Sequence, residues 1–481
     1  METGDPVNDL LKPRRVSIPA FTLTTTNDDH DEKSVGNVIP IGHGKTSYRA
    51  SSYPVGHPDR VAINNMQIVV DRHGAPWHEA CLYLLARVSD AIDPVATSTL
   101  VSTADDLVAF RKFIDDEGID YKVFAASKHS RPTYRYRGFL MIMVRAGEIA
   151  TSTAKRRLQS VLAFYRWLKI EDLVTPEHEM WSESDVSFIV ARRRGPPLKK
   201  TAKTTDIAIS SPLQEDPFAD HIIDGGRLRP LPIDEQKALV TTLVDLGNTE
   251  MTLAHLIALF TGARMQTVLT LKVGNVSERY DLAPLAEIPI ACGLGTTVDT
   301  KFSKKQTLFF PHWLYERLRT YSHSARAKKR RKRAVSNGLD SDYLFLSRNG
   351  NPLYVDKSEA QAFDEHRAKR YFPDGAALRV FIADRVIPAV REKLGSEFHY
   401  SFHDLRATFG MNLTDAQLIL VDQEQVTLHQ AREFVRVRMG HESSATTDAY
   451  LKFRQDHEFV KNLQSQYETH LSELIESSRP V

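Results

Sequence analysis

The chain has 481 residues but only two cysteines, Cys81 and Cys292. This scarcity excludes a disulfide framework and a cysteine-rich zinc site, and it favours a cytoplasmic protein that needs no oxidation. Long hydrophobic runs are also lacking, since a stretch such as Phe139–Val144 is far shorter than the roughly 20 apolar residues of a membrane span. No secretory signal is expected, because the first residues include Glu2 and Asp5 and no apolar stretch.

A strong charge of one sign is absent as well, because 63 Lys and Arg residues against 61 Asp and Glu residues leave a net charge of +2. The distribution is more informative than the sum. One basic block contains Arg192, Arg193 and Arg194, and a denser one over 326–333 contains Lys328, Lys329, Arg330 and Arg331. Such clusters indicate phosphate contact. A solvated loop without a partner is an equally good explanation of either block alone.

The length predicts two or three domains. Composition and periodicity divide the chain into an N-terminal arm over 1–75, partly extended or disordered, a helical domain over 76–190, a basic linker rich in Pro, Ser and Thr over 191–228, a second globular domain over 229–455, and an amphipathic C-terminal helix over 456–481. The predicted fold class is mainly α with a small β-sheet (α+β). A stripe on the C-terminal helix predicts packing either on its own domain or on a neighbouring protomer.

Several local predictions bear on function. In the first domain, a helix capped by Thr153 carries Arg156 and Arg157 mostly off its apolar face, which fits a plain helical bundle better than a DNA clamp. In the second domain, Gly262 and Gly440 are each expected to end a helix. The pattern there predicts helices over 234–246, 250–260, 313–321, 356–371, 376–393, 403–413 and 432–439, and a β-rich region over 287–311.

Five side chains of the second domain form an unusual set: Arg264, His403, Arg406, His441 and Tyr450. Guanidinium groups bind pairs of phosphate oxygens, and a histidine three residues before an arginine shares its helix face. Each residue alone has a plain structural explanation, such as a salt-bridged arginine or a packing tyrosine. Together they predict chemistry on a phosphodiester, with the tyrosine as nucleophile.

The surroundings of these residues resemble the tyrosine recombinase, or phage integrase, family. The three matching segments are TGARMQTVLTLKVGNV around Arg264, HDLRATFGMNL from His403, and GHESSATTDAY, in which Tyr450 follows His441 by nine residues. The resemblance covers about 230–455. More loosely, 100–175 is similar to the family's helical core-binding domain.

The resemblance implies a helical core-binding domain and an integrase-type catalytic domain that close around DNA. Arg264 and Arg406 would hold the scissile phosphate, while His403 and His441 would assist by hydrogen bonding and proton transfer. Tyr450 would form a 3′-phosphotyrosyl bond and release a 5′-hydroxyl, with no metal, ATP or other cofactor. The family's hairpin lysine, a general acid, is matched by Lys301, with Lys304 as the alternative.

The implied partners are double-stranded DNA with a specific recombination site, further copies in a homo-tetramer on synapsed DNA, and accessory recombination proteins. The implied role is integration or excision of a mobile element in a bacterial, nucleoid-associated setting without a membrane. Two alternatives remain: DNA relaxation like that of a type IB topoisomerase, and a non-catalytic DNA-binding regulator on the same fold.

Two features depart from the family pattern. Thr267 stands where the family usually has an acidic residue three positions after the first arginine, so another group is needed to support Arg264. The interval from Arg406 to His441 is longer than usual, which predicts an inserted turn or loop around Asp422–Gln430.

Overall fold

The computed structural model describes residues 12–28, 37–40, 47–52, 60–91, 95–190, 198–210, 220–279, 287–334, 342–357, 373–395, 397–456, 468–469 and 472. One compact unit lies within Met1–Leu213, and a second lies within Gln214–Lys357 and Pro373–Val481. The protein is about 54% helical with small antiparallel sheets, which confirms the predicted mainly α class. No helix among the described residues is long and apolar enough to cross a membrane.

The strands of the first unit form small antiparallel sheets. In the first sheet, β1 (Arg14–Thr22) pairs with β5 (Ala62–Val70). In the second, β4 (Ser47–Ser52) lies between β2 (Thr24–Asp28) and β3 (Asn37–Pro40). In the third, β6 (Glu183–Val190) pairs with β7 (Leu198–Thr205). Met66 and Val69 of β5 are buried in the same core as the helices of this unit. The arm segment of the sequence therefore contributes to that core.

Four helices complete the first unit: α1 (His78–Ser89), α2 (Thr97–Asp116), α3 (Pro132–Arg145) and α4 (Thr151–Ile170). Aromatic rings dominate their core, where Trp77 meets Phe164 edge-on at 5.2 Å between ring centroids. Helix α4 begins two residues before Thr153, so the predicted cap is wrong, although its predicted apolar face is buried as expected.

The α-helices of the second unit include α5 (Ile233–Asp245), α6 (Thr249–Thr261), α7 (Met265–Leu269), α8 (His312–His323), α9 (Ala325–Arg331), α10 (Ala376–Phe381), α11 (Ile387–Leu394), α12 (Asp404–Asp422), α13 (Leu428–Met439), and α14 over 444–456. Its two hairpins pair β8 (Ile222–Ile223) with β9 (Arg227–Leu228), and β10 (Glu287–Cys292) with β11 (Gln306–Pro311). A helix was predicted over 356–371, and most of that range lies outside the described residues, as does most of the predicted C-terminal helix.

The two predicted helix-ending glycines are both confirmed. Gly262 ends α6 at φ 66°, and Gly440 ends α13 at φ 64°, a left-handed conformation that costs glycine little. A Cβ on Gly262 would lie only 2.6 Å from the ring of Phe409, so close packing also requires glycine there. The residue that follows each glycine can then turn sharply away from its helix.

The interval between Arg406 and His441 is filled mainly by helix rather than by a loop. Helix α12 has 19 residues and ends at Asp422. Helix α13 starts at Leu428 behind a capping box made by Thr427 and Gln430, so the connection is short. The predicted turn or loop around Asp422–Gln430 corresponds to a short non-helical connection over 423–427, and helix fills most of the rest of the interval.

A buried carboxylate in the first turn of α6 organises much of the second unit. Glu250 accepts hydrogen bonds from Tyr321 at 2.9 Å and from two nitrogens of Arg326 at 2.7 Å, and Arg330 lies 3.0 Å away. Burial opposes ionisation of Glu250, but the Arg326 hydrogen bonds and the other neighbours outweigh it and hold the pKa below its ordinary value. The carboxylate thus joins α6 to α8 and α9.

We expect Glu250→Ala to destabilise the second unit by about 1–3 kcal/mol, because it leaves the buried Tyr321 hydroxyl without its acceptor and removes the partner of Arg326 and Arg330. The measurement is the free energy of unfolding in denaturant. Asp234→Ala is the control, since Asp234 is 88% exposed and its ion pair with Lys237, at 3.8 Å, is long. A change within about 0.5 kcal/mol is expected there. Because the pKa of Glu250 is lowered in the folded state, its contribution is present above pH 4.5 and is lost as the pH falls below that value. A loss no larger than that of the control would contradict this role.

Candidate active site

Arg406, in the first turn of α12, is almost completely enclosed, with 1% of its surface exposed. Its Nη1 donates to the carbonyl of Gly262 at 2.8 Å and its Nη2 to the carbonyl of Met439 at 2.7 Å. Its Nε donates to Asp224 at 2.8 Å. These bonds fix the guanidinium plane before any ligand arrives.

Arg264 leaves the end of α6 two residues after Gly262 and precedes α7. Its Nη2 lies 3.5 Å from Oδ1 of Asp224, and its Nε is buried without a hydrogen-bond partner among the described residues. Burial, and next the charge of Arg406, lower the pKa of Arg264. The side chain therefore has hydrogen-bonding capacity left for an anion.

The two histidines lie on opposite sides of Arg406 in the chain, and each is held differently. His403 precedes α12, and its Nε2 is buried with no hydrogen-bond partner in the described part of the chain. Burial, followed by the charges of Arg264 and Arg406, lowers the pKa of His403 to about 4. At neutral pH the ring is therefore uncharged and presents one unused nitrogen.

His441 follows Gly440 and is oriented by two hydrogen bonds. Its Nδ1 lies 2.9 Å from the hydroxyl of Thr447, and its Nε2 lies 3.3 Å from Oδ2 of Asp224. Since a carboxylate only accepts, Nε2 donates to it and the threonine hydroxyl donates to Nδ1 of a neutral ring. Burial lowers the pKa of His441 more than the carboxylate raises it.

Tyr450 lies in α14 and is 0% exposed. Its ring packs against the backbone of α12, where a Cβ on Gly410 would be 2.4 Å from the ring, so only glycine fits. Its hydroxyl donates to Oδ2 of Asp224 at 3.2 Å. Burial, and next the negative charge of Asp224, raise the pKa of Tyr450, while Arg406 and Arg264 act in the opposite direction.

The site converges on Asp224, a residue that is not among those predicted from the sequence. Its carboxylate is within 3.5 Å of nitrogen or oxygen atoms of Arg264, Arg406, His441 and Tyr450. Burial works against its charge, but the hydrogen bond from His441 and the charge and hydrogen bond of Arg406 hold the pKa of Asp224 far below its ordinary value. The carboxylate is therefore ionised at all ordinary pH values.

Asp224 belongs to the turn of the short β8–β9 hairpin, in the segment predicted as a linker. The turn reads Asp224-Gly225-Gly226, a sequence typical of a tight reversal, and Gly225 has φ 71°. That signal predicts a turn, but it does not predict that the turn contacts Arg406, which is 182 residues away in sequence. Asp224 is also the carboxylate that lies 3.5 Å from Arg264, while Thr267, where the resemblance implies an acidic residue, is buried in α7.

The two candidate lysines occupy different positions in the loop before β11. A Cβ on Gly225 would lie 3.9 Å from Nζ of Lys301 and 3.8 Å from Nη2 of Arg264, so Lys301 reaches the turn that carries Asp224. Lys304 instead donates to the carbonyl of Gly440 at 2.5 Å and pairs with Glu442 at 3.2 Å. Between them Phe302, at φ 59°, is 86% exposed.

The predicted DNA-binding residues have varied surroundings. Arg156 pairs with the buried Asp106 at 2.8 Å, and Arg157 is half-buried beside it. Arg330 and Arg331 donate to the carbonyls of Leu346 and Ser322 within their own unit, whereas Lys328 and Lys329 are exposed. The remaining candidates, Arg192, Arg193 and Arg194, lie outside the described residues.

The structure thus brings Arg264, Arg406, His441 and Tyr450 around one carboxylate, with His403 and Lys301 beside them. The set presents several cationic or hydrogen-donating groups to a single anion, next to one phenol. Such an arrangement suits an oxyanion whose charge grows during a reaction. Among the described residues, no group of His, Cys, Asp and Glu is arranged to hold a metal ion.

No protein-family model and no curated protein sequence matches this chain. The chain is similar to solved structures of site-specific recombinases and integrases. One is the XerH site-specific recombinase bound to a palindromic difH substrate in a post-cleavage complex, with 14% identity, a TM-score of 0.44, and coverage of 81% of this chain and 84% of that one.

Two further solved structures show similar values. The Tn1549 transposon integrase in complex with circular intermediate DNA has 11% identity, a TM-score of 0.41, and coverage of 77% of this chain and 94% of that one. A lambda integrase dimer bound to a core site has 13% identity, a TM-score of 0.41, and coverage of 78% and 94%. At such values the assignment of a function depends on the residues of the site.

We expect His403 to titrate near pH 4, measured from NMR spectra of ring-labelled histidine and assigned with His403→Asn. Because its pKa lies below the ordinary 6.5, the folded state loses stability from this group as the pH falls from 6.5 towards 4. In Arg264→Gln the pKa of His403 should rise, since one of the two nearest positive charges is gone. A titration near 6.5 in the unaltered protein would rule out the buried, cation-flanked environment.

Proposed function

We propose that this protein is a tyrosine-type site-specific DNA recombinase that cuts and rejoins DNA strands through a 3′-phosphotyrosyl intermediate. The observation that supports this most is the convergence of Arg264, Arg406, His441 and the hydroxyl of Tyr450 on one anionic position. A phosphodiester carries one negative charge and acceptor oxygens, so its chemistry fits that position. A DNA-binding regulator would have no use for a buried tyrosine hydroxyl aimed at the bound anion.

In the proposed reaction, Arg264, Arg406 and His441 bind the non-bridging oxygens of the scissile phosphate. The hydroxyl of Tyr450 attacks phosphorus, and its proton passes to the unused nitrogen of His403. The bond from phosphorus to the 5′ oxygen breaks, and that oxygen takes a proton from Lys301 and leaves as a hydroxyl. The energy of the broken bond is kept in the phosphotyrosyl ester, which the 5′-hydroxyl of another strand attacks to reverse the step.

The rate enhancement would come mainly from fixed positive charge. Arg406 is already locked by two backbone carbonyls, so little reorganisation is needed when charge develops on the phosphorane. The same cations lower the pKa of the attacking phenol, in opposition to burial. Removal of either arginine should therefore reduce the chemical step more than DNA binding.

We further propose that the substrate is a double-stranded recombination site, that a homo-tetramer assembles on two synapsed duplexes with accessory proteins, and that the reaction integrates or excises a mobile element. Exposed Lys328 and Lys329 are the candidates in the described part of the second basic block for contact with flanking DNA. Arg330 and Arg331, by contrast, already bond within their own unit.

The nucleophile is tested with a library of duplexes that carry randomised sequence and a nick in each strand. Cleavage near a nick releases a short 5′-hydroxyl fragment that diffuses away, so the covalent adduct accumulates and its DNA can be sequenced. We expect an adduct that survives denaturing electrophoresis with the unaltered protein and none with Tyr450→Phe. Tyr400→Phe, at another buried tyrosine, is the matched control and should retain the adduct.

An adduct that persists in Tyr450→Phe would exclude this nucleophile, and no adduct from the unaltered protein on any sequence would argue against the enzyme. The recovered site then separates the recombinase from a topoisomerase-like activity. A recombinase joins strands from two duplexes that carry the site, whereas a topoisomerase only relaxes a supercoiled plasmid.

The general acid is tested with DNA in which sulfur replaces the bridging 5′ oxygen of the scissile phosphate. A thiolate leaves without protonation, so a variant that lacks only the acid recovers its rate on this substrate. We expect Lys301→Ala to lose about 10²–10⁴-fold in cleavage of ordinary DNA and to regain most of it on the sulfur substrate. Lys304→Ala should show no selective recovery, and the opposite pattern would make Lys304 the acid.

A further inference from the structure

Asp224 makes the contacts that the proposed reaction assigns to DNA. Its carboxylate accepts from Nε of Arg406 at 2.8 Å and from Nε2 of His441 at 3.3 Å, and lies 3.5 Å from Arg264. It also accepts from the hydroxyl of Tyr450 at 3.2 Å, so the nucleophile is hydrogen-bonded to the same anion. A phosphate oxygen and this carboxylate oxygen require the same donors, so only one of them can be bound.

We propose that the Asp224 carboxylate occupies the place of the scissile phosphate in the DNA-free protein, and that the β8–β9 turn must withdraw it before DNA is cleaved. This inference rests on the proposed function. The occupant is a segment of the chain itself, and its competitor is a phosphodiester anion.

The shared donors favour exchange over joint occupancy, because Nε of Arg406 and Nε2 of His441 each have one hydrogen and it already binds the carboxylate. The nearly buried Arg406, half-buried Arg264 and the donor face of His441 need an anion, because unpaired buried charge is costly. One carboxylate supplies a single negative charge, and one phosphodiester supplies the same. Adding the phosphate while the carboxylate stays would place two anions in contact within a buried site, which strongly disfavours one of them.

The hairpin is built so that only its tip needs to shift. Ile222 and Leu228 pack in the small core that contains Tyr450 and Phe409. Downstream, the backbone N–H of Arg229 donates to Asp404 at 2.9 Å, so the following chain is attached to α12. The intervening turn contains two glycines. Apart from the neighbours of Gly225 in the chain, the atoms of the described residues within 4 Å of a Cβ placed there are the ends of the Arg264 and Lys301 side chains.

Occupancy by Asp224 also keeps the nucleophile inactive. The carboxylate raises the pKa of Tyr450, so its departure makes deprotonation of the phenol easier at the moment when a phosphate arrives. The DNA-free protein therefore holds its tyrosine protonated and hydrogen-bonded away from other substrates. Cleavage then requires binding energy from the rest of the DNA to offset the loss of the internal ion pairs.

The first test measures binding of sulfate, a stable oxyanion, to the DNA-free protein by thermal shift and calorimetry at constant ionic strength. We expect Asp224→Asn to bind sulfate at least 10-fold more tightly than the unaltered protein, because the competing anion is gone. Asp220→Asn, with the same change at an exposed aspartate of the same segment, should bind as the unaltered protein does. The gain should disappear in the double variant Asp224→Asn/Arg264→Gln.

The second test measures the single-turnover rate of adduct formation on a nicked substrate. Asp224→Asn is expected to form the adduct faster than the unaltered protein or at lower DNA concentration. A slower rate, with no gain in sulfate affinity, would overturn the proposal and make Asp224 a positioning residue that substitutes for the acid missing at Thr267.

Asp224→Asn also removes a stabilising ion pair, so Ile222→Ala is a second variant that leaves the carboxylate in place. It weakens the attachment of the hairpin and should likewise tighten sulfate binding, and no change there would count against the proposal. The failures are distinguishable. If Asp224→Asn binds sulfate more tightly but the protein forms no DNA adduct, the proposed function fails and the displaceable carboxylate stands. If the adduct forms normally but sulfate binding does not tighten, the displaceable carboxylate fails and the proposed function stands.

Discussion

The second unit depends on one buried guanidinium. Arg406 links the carbonyl that ends α6, the carbonyl that ends α13, and the turn before β9, while it belongs itself to α12. Both carbonyls lie beside left-handed glycines, which direct the chain so that the carbonyls point inward. Arginine fits this role because its flat group directs several donors in fixed directions, which a lysine ammonium does not. The geometry of the site and the packing of four segments are therefore set by the same side chain.

The local structure around the site could be predicted because it follows from short-range signals. Gly262 and Gly440 mark helix ends, and the apolar periodicity before each of them defines a buried face. The five residues Arg264, His403, Arg406, His441 and Tyr450 were selected from the sequence, and the structure brings them together. Their roles in a reaction remain proposals. These features were predictable because each depends on a residue and its near neighbours in the sequence.

Other features required contacts between distant segments. Asp224 lies 226 residues from Tyr450 in sequence, and an Asp-Gly-Gly turn in a polar segment predicts only a reversal of the chain. The predicted helix over 403–413 is too short, since α12 continues to Asp422. Arg330 and Arg331 belong to a conspicuous basic run, yet Arg330 lies beside the buried carboxylate of Glu250 and Arg331 donates to a backbone carbonyl. Charge runs in a sequence give no information on which members turn inward.

The ring and the hydroxyl of Tyr450 are held by different parts of the second unit. The ring packs against Gly410 of α12, and the hydroxyl donates to Asp224. The surface of α12 that faces α14 leaves space for an aromatic ring, because any side chain at residue 410 would overlap the ring of Tyr450. The hydroxyl at the far end of the ring is bound separately, by the charged carboxylate of Asp224. Phenylalanine at residue 450 would therefore fill the same space, whereas a small residue would leave a cavity beside α12. The packing of α14 against α12 can thus be kept while the hydrogen bond from residue 450 to Asp224 is removed.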